Sequence, residues 1–198
     1  MNTQVRWSGR FWQGGEANEM WFNHMIMDQN GIIKGNGSDA VGPFNIAGNC
    51  SSNGNCEINK QYHGAHIVYY RGQMDNQGWI KGNWEIPGNC DGTFELKVDQ
   101  PNWAGFFMQG GNRTDMQFGL CISGSSVTGN GCDSVGAFSV SGRYDQGSGD
   151  IDFTKYYYGA HSVNYKGKQH KEQGNDVIRG DWCIPGNCSD KFELTMHH

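Results

Sequence analysis

Apolar and polar residues alternate along most of this chain with a period of two, in short runs closed by Gly, Asn or Asp. In the first half the runs lie near 6–12, 20–27, 32–39, 44–50, 56–62, 66–71, 79–86 and 93–98. A period of two puts alternate side chains on one face of a strand. That face collects Trp7, Gly9, Phe11, Met20, Phe22, Ile26, Ile33, Gly35, Gly37, Asp39, Phe44, Ile46, Ile58, Lys60, Tyr62, His66, Val68, Tyr70, Ile80, Gly82, Trp84, Phe94 and Leu96. Connections this short cannot carry parallel crossovers, so neighbouring strands are expected to pair antiparallel as a meander. Asn30-Gly31 has the chemistry of a two-residue hairpin turn.

The second half repeats the first. Trp7-Ser-Gly-Arg-Phe11-Trp-Gln13-Gly-Gly15 answers Trp103-Ala-Gly-Phe-Phe107-Met-Gln109-Gly-Gly111, and Met20-Trp-Phe22 answers Met116-Gln-Phe118. Gly35 to Phe44 answers Gly129 to Phe138, Lys60 to Gly72 answers Lys155 to Gly167, and Ile80 to Cys90 answers Ile178 to Cys188. The offset drifts only from 94 to 98, as expected when surface loops absorb the length differences. The chain is therefore read as a tandem duplication, residues 1–99 and 100–198.

Eight antiparallel strands leave two sticky edges and one apolar face, and closing them into a barrel buries both. The expected fold is all-β: two tandem eight-stranded up-and-down barrels. In strand count and aromatic lining this architecture is similar to that of avidins and lipocalins, which hold a ligand in the barrel mouth. No binding residue follows from that likeness. The alternatives are a single larger barrel or a β-sandwich.

Composition supports strands and turns over helices: 31 glycines, 4 prolines and 13% aromatic residues. A net charge of −5 without a basic stripe argues against nucleic acid and anionic membrane as partners, and no apolar run approaches bilayer length. Met1-Asn2-Thr3-Gln4 lacks a signal-peptide core, and His197-His198 reads as the remainder of a purification tag.

Seven cysteines form no paired C-x-x-C knuckles, so no metal site is expected. Cys50 with Cys56, and Cys183 with Cys188, sit where hairpins could bridge them. Such bridges, with four Asn-X-Ser/Thr acceptors, tilt the localisation toward secretion. Asp145-Gln-Gly-Ser-Gly-Asp150-Ile-Asp152 is oxygen-rich but lacks EF-hand spacing and reads as an acidic turn.

Candidate chemistry centres on polar residues that both copies place on the apolar face: Asp39 with Asp133, Lys60 with Lys155, and His66 with His161. A buried charge needs a partner, so one reading is a satisfied structural network. The other is a pocket in which these groups are walled by Trp7, Tyr62, Tyr70 and Trp84 in the first copy and by Trp103, Tyr157, Tyr165 and Trp182 in the second. A second set, Trp12, Trp21, Trp79, Gln13 with Gln109, and Asn36 with Asn130, suits sugar recognition or an oligomer interface. No G-x-S-x-G, H-E-x-x-H or P-loop pattern occurs.

The leading expectation is a non-catalytic binding protein with two equivalent sites for a small, partly apolar ligand inside or at the mouth of each barrel, and no cofactor. The second is a lectin with multivalent sites. The third is an enzyme using the Asp, Lys, His and Tyr cluster.

Overall fold

A computed structural model describes residues 6–197. The expectations for Met1 to Gln4 and for His198 concern positions outside the described residues. The first eight strands are β1 (Arg6–Gln13), β2 (Glu16–Met27), β3 (Ile32–Asp39), β4 (Pro43–Cys50), β5 (Asn55–Tyr62), β6 (Ile67–Met74), β7 (Ile80–Ile86) and β8 (Cys90–Asp99). They pair antiparallel in chain order, and β1 closes onto β8. The next eight are β9 (Asn102–Gln109), β10 (Asn112–Ser123), β11 (Ser126–Cys132), β12 (Ala137–Tyr144), β13 (Asp150–Tyr157), β14 (Ser162–Glu172), β15 (Asn175–Cys183) and β16 (Ser189–His197), closed in the same way by β9 with β16. The protein is thus two closed up-and-down barrels. Among the described residues no helix is long and apolar enough to cross a membrane.

Alternation fills each interior. Phe44, Ile33, Ile80 and Phe94 pack in the first barrel, and Phe118, Phe138, Leu120 and Ile178 in the second, all at most 2% exposed. Glycine is required where strands press together. A Cβ on Gly37 would lie 2.1 Å from the Trp21 carbonyl oxygen, and one on Gly82 would lie 2.0 Å from that of Arg71.

Three expectations need correction. Ile26 is 44% exposed and Met25 takes the inner position at 4%, because a bulge between Phe22 and His24 inverts the alternation for the rest of β2. The turn after β2 spans Asp28 to Gly31: the Gly31 amide donates to the Asp28 carbonyl at 3.0 Å, and Gly31 alone takes a positive φ of 79°. It is therefore not a two-residue Asn-Gly hairpin. Cys50 and Cys56 face each other across β4 and β5 and form a disulfide. Cys183, however, pairs with Ser189 in register, one residue beyond Cys188, so the expected second bridge is absent.

The barrels pack end to side. The turns at Asp28–Gly31, Ser51–Gly54 and Asp75–Gly78 form one end of the first barrel and rest on the second. The Ala137 amide donates to the Ser52 carbonyl at 2.7 Å, and the Tyr158 hydroxyl donates to Met27 Sδ at 3.0 Å. Ala137 and Tyr158 belong to the first barrel's hydrophobic core although the chain places them in the second. Gln100, between β8 and β9, ties the turn to β11: its Nε2 donates to the Gln77 carbonyl at 2.8 Å and to Asn130 Oδ1 at 2.9 Å.

Candidate functional site

Asp39 ends β3, while Lys60 and Tyr62 end β5, so the meander brings them to one end of the first barrel. Asp39 Oδ2 accepts from Lys60 Nζ and, at 2.7 Å, from the Tyr62 hydroxyl. Asp39 Oδ1 accepts from the amides of Val41 at 2.9 Å and Gly42 at 3.3 Å. Four donors saturate the carboxylate. Lys60 Nζ also lies 3.5 Å from the Tyr70 hydroxyl and 4.3 Å from the centre of the Phe44 ring. Burial pushes the Lys60 ammonium below its ordinary value against the opposing effect of Asp39.

The second barrel repeats this network. Asp133 Oδ2 accepts from Lys155 Nζ at 2.5 Å and from the Tyr157 hydroxyl at 2.7 Å, and Oδ1 accepts from the amides of Val135 and Gly136. Lys155 Nζ sits 3.7 Å from the centre of the Phe138 ring. Burial raises the Asp133 pKa, but the Lys155 charge and the hydrogen bonds from Lys155, Tyr157 and Val135 outweigh it, so the net shift is downward. Burial also pushes both Tyr157 and Tyr62 well above the ordinary phenol range.

The surroundings differ. The Asp39 side chain is 0% exposed, whereas that of Asp133 is 29% exposed. In the first barrel β2 and β3 pair from Met20↔Asp39 onward, and Met20 seals the cluster with its sulfur 3.4 Å from Lys60 Nζ. In the second, β10 and β11 begin to pair only at Gly119↔Asn130, so the counterparts Met116/Asp133, Gln117/Cys132 and Phe118/Gly131 are not partnered. The reason is an intruder. A Cβ on Gly131 would meet the Asn76 carbonyl oxygen at 2.4 Å, where its counterpart Gly37 meets Trp21 of the adjacent strand. The β6–β7 turn of the first barrel therefore occupies the place that β10 would fill.

The open seam leads into a cleft of about 980 Å³. Its floor carries Phe107, Tyr157, Tyr165 and Trp182 above Asp133 and Lys155, and its rim carries Arg113, Asp115, Gln117, His161 and Glu193. The Trp182 indole is fixed by a 2.9 Å bond to the Met108 carbonyl and an edge-to-face contact with Phe107.

Of the residues singled out from sequence, Asp39, Lys60, Tyr62 and Tyr70 converge, with Trp84 one layer away behind Phe11. Asp133, Lys155, Tyr157, Tyr165, Trp182 and His161 share the open cleft. His66 and His161 are not on the inner face. Each lies in the turn before its strand, exposed, with its ring centre 5.1 Å and 5.3 Å from those of Tyr62 and Tyr157. Trp7 and Trp103 begin β1 and β9 and so sit at the opposite barrel ends from the clusters.

In the second set, Asn130 is buried against the first barrel and Trp79 lies beneath Lys81 and Lys97, while Trp21 stays 59% exposed. Asp145 accepts from the amides of Gly147 and Ser148, the geometry of an acidic turn. Sequence reasoning missed the rim residues Arg113, Asp115 and Gln117. For Arg113 and Gln117 the signal was divergence from their first-copy counterparts, Ala17 and Trp21, whereas Asp115 answers the equally acidic Glu19.

Asp133 supplies stability that depends on pH. Its folded pKa is depressed, so the contribution is present above the unfolded value of about 3.9 and is lost as pH falls through the folded value. Urea titrations between about pH 5 and pH 2 should show a stability slope that flattens in Asp133→Asn. An unchanged slope would remove the ion pair from the account.

No protein-family model matches the sequence, nor does any curated protein. Among the solved structures that overlap it are two agglutinins. The Burkholderia oklahomensis agglutinin has a TM-score of 0.27 and 12% identity over 96% of this chain and 95% of that one. The Myxococcus xanthus hemagglutinin, solved in complex with α3,α6-mannopentaose, has a TM-score of 0.28 and 13% identity over 98% of this chain and 100% of that one. Both neighbours are lectins by name, and at these values the overlap bears on neither the site nor the ligand of this chain.

Proposed function

We propose that this protein is a non-catalytic carbohydrate-binding protein whose site is the open end of the second barrel. The carrying observation is the unpaired seam between β10 and β11, which leaves the Asp133 side chain 29% exposed and opens a cleft bordered by Phe107, Tyr157 and Trp182 under a polar rim. A sugar presents a C–H face and a ring of hydroxyls, and that combination is met by flat aromatic walls with a few placed polar groups. Phe107, Tyr157 and Trp182 are the walls. Arg113, Asp115, Gln117 and His161 offer donors and acceptors of both kinds.

Asp133 is a positioning residue in this reading, because its oxygens are already saturated by four donors. The same saturation speaks against acid-base chemistry at the cluster, since Lys155 and Tyr157 are both committed to Asp133. A partly apolar ligand enclosed in each barrel is disfavoured by the first barrel, where four aromatic rings lie within 5.9 Å of Lys60 Nζ. The two halves are therefore not equivalent as sites.

The test is a glycan array followed by titration of any hit. Gln117→Ala combined with His161→Ala should weaken binding at least about tenfold, the size expected for two lost hydrogen bonds, without changing the unfolding midpoint. No hit at high glycan density would contradict the proposal. Binding of an apolar dye in the cleft that no sugar displaces would favour the apolar-ligand reading instead.

A further inference from the structure

A second cleft, of about 600 Å³, lies where the barrels meet. The first barrel contributes Trp7, Met25 and Val98 to it, the second contributes Ser126, Thr128, Ser139 and Ser141, and Gln100 joins the two. Two polar atoms there lack the partners that the fold supplies elsewhere. Trp84, Trp103 and Trp182 each donate the indole N–H to a backbone carbonyl. Among the described residues Trp7 has no such acceptor, although its repeat counterpart Trp103 donates to the Leu120 carbonyl at 3.0 Å. Gln100 Nε2 faces three oxygens, on Gln77 and Asn130, which fixes the amide orientation because a flip would set oxygen against oxygen. Its Oε1 is then left shielded and without a partner.

The lining carries a single charge. Asp28 is its one acidic member, and its Oδ1 is spent on the amides of Asn30 and Ile32 at 2.9 Å each. Four hydroxyl side chains line it, that of Ser139 already paired with Tyr158, and Trp7 is the one aromatic residue opposite them.

We propose that this inter-barrel cleft is a second ligand site, which takes one ring of a neutral carbohydrate. One hydroxyl accepts from Trp7 Nε1, others exchange bonds with Ser126, Thr128 and Ser141, and the ring C–H groups meet Ile26, which is 44% exposed. A flat heterocycle fits less well, because it would leave the row of hydroxyls on the second barrel mostly unanswered. The inference stands apart from the site at the second barrel's mouth, since the two clefts share none of these residues.

The seven tryptophan indole N–H signals of the full chain report on both sites in one NMR titration. Glucose, mannose, galactose and N-acetylglucosamine would each be added to about 100 mM, with adenosine as the heterocyclic probe. The expected result is a saturable shift of the Trp7 signal with at least one sugar. Trp7→Phe, which keeps the ring and removes the donor, should weaken that binding about three- to tenfold, followed through the Met25 methyl signal. Ser126→Trp, introduced at the exposed edge, should abolish it while leaving any response at Trp182 intact. A Trp7 signal unmoved by every sugar, or moved only by adenosine, overturns the inference whatever Trp182 does. A Trp7 response without one at Trp182 sustains it and instead removes the proposed function of the mouth.

Discussion

Asp39→Ala is expected to destabilise the protein by about 3–5 kcal/mol, because it leaves a shielded ammonium without its counter-ion. Lys60 is 1% exposed and would retain as side-chain acceptors the Tyr70 hydroxyl at 3.5 Å and Met20 Sδ at 3.4 Å, besides the faces of the surrounding rings. The loss lies in the orphaned charge more than in the bond. Replacing both partners, as Asp39→Leu with Lys60→Met, should therefore restore most of the stability. The equivalent Asp133→Ala should cost less. The Asp133 side chain is 29% exposed, so water entering the seam can solvate Lys155 once the carboxylate is gone. Urea unfolding of the single and double variants checks this ordering. Equal costs in the two barrels would mean that the second mouth is as closed as the first.

Trp84→Ala should cost a similar amount, about 3–5 kcal/mol, the range for deleting a large buried aromatic. Trp84 is 3% exposed, meets Phe11 edge to face at 5.8 Å, and donates to the Trp12 carbonyl at 3.2 Å. Its cross-strand partner is Gly92, which has no side chain to move into the void. Trp182→Ala removes a ring that is nearly as buried, at 4%, but borders the cleft, so water can enter the space it leaves, and should cost measurably less. Thermal unfolding of the two variants distinguishes them, and matching losses would contradict the asymmetry.

Much of the fold was legible because each barrel is written in the simplest strand code. Period-two alternation located all eight strands of the first copy, and the internal repeat carried them to the second. The code failed where one residue changed its phase: the bulge between Phe22 and His24 exchanged Ile26 for Met25, a local event that leaves no compositional trace. It failed again at His66, which the alternation assigned to the interior although the turn before β6 had not yet become strand. The Asp, Lys and Tyr cluster was visible because charged residues on an apolar face demand partners.

The open seam was not visible, because Met116, Phe118 and Asp133 repeat Met20, Phe22 and Asp39. What separates the copies is the docking of one barrel on the other. That contact is made by the Asn76 carbonyl and the Gln100 amide, in turn and linker residues that read as solvent-facing. Trp7 was placed correctly in the first barrel's interior but at the wrong end of it, since a face assignment carries no information about height along the axis.

The claim on which the rest depends is that two copies of one buried cluster differ in access, and that only the second receives a ligand at its mouth. The most direct measurement is the indole N–H spectrum during titration with a glycan that binds. The account predicts that the Trp182 signal shifts saturably while Trp84 stays fixed. Equal shifts at both, or a bound glycan that moves neither, would contradict it.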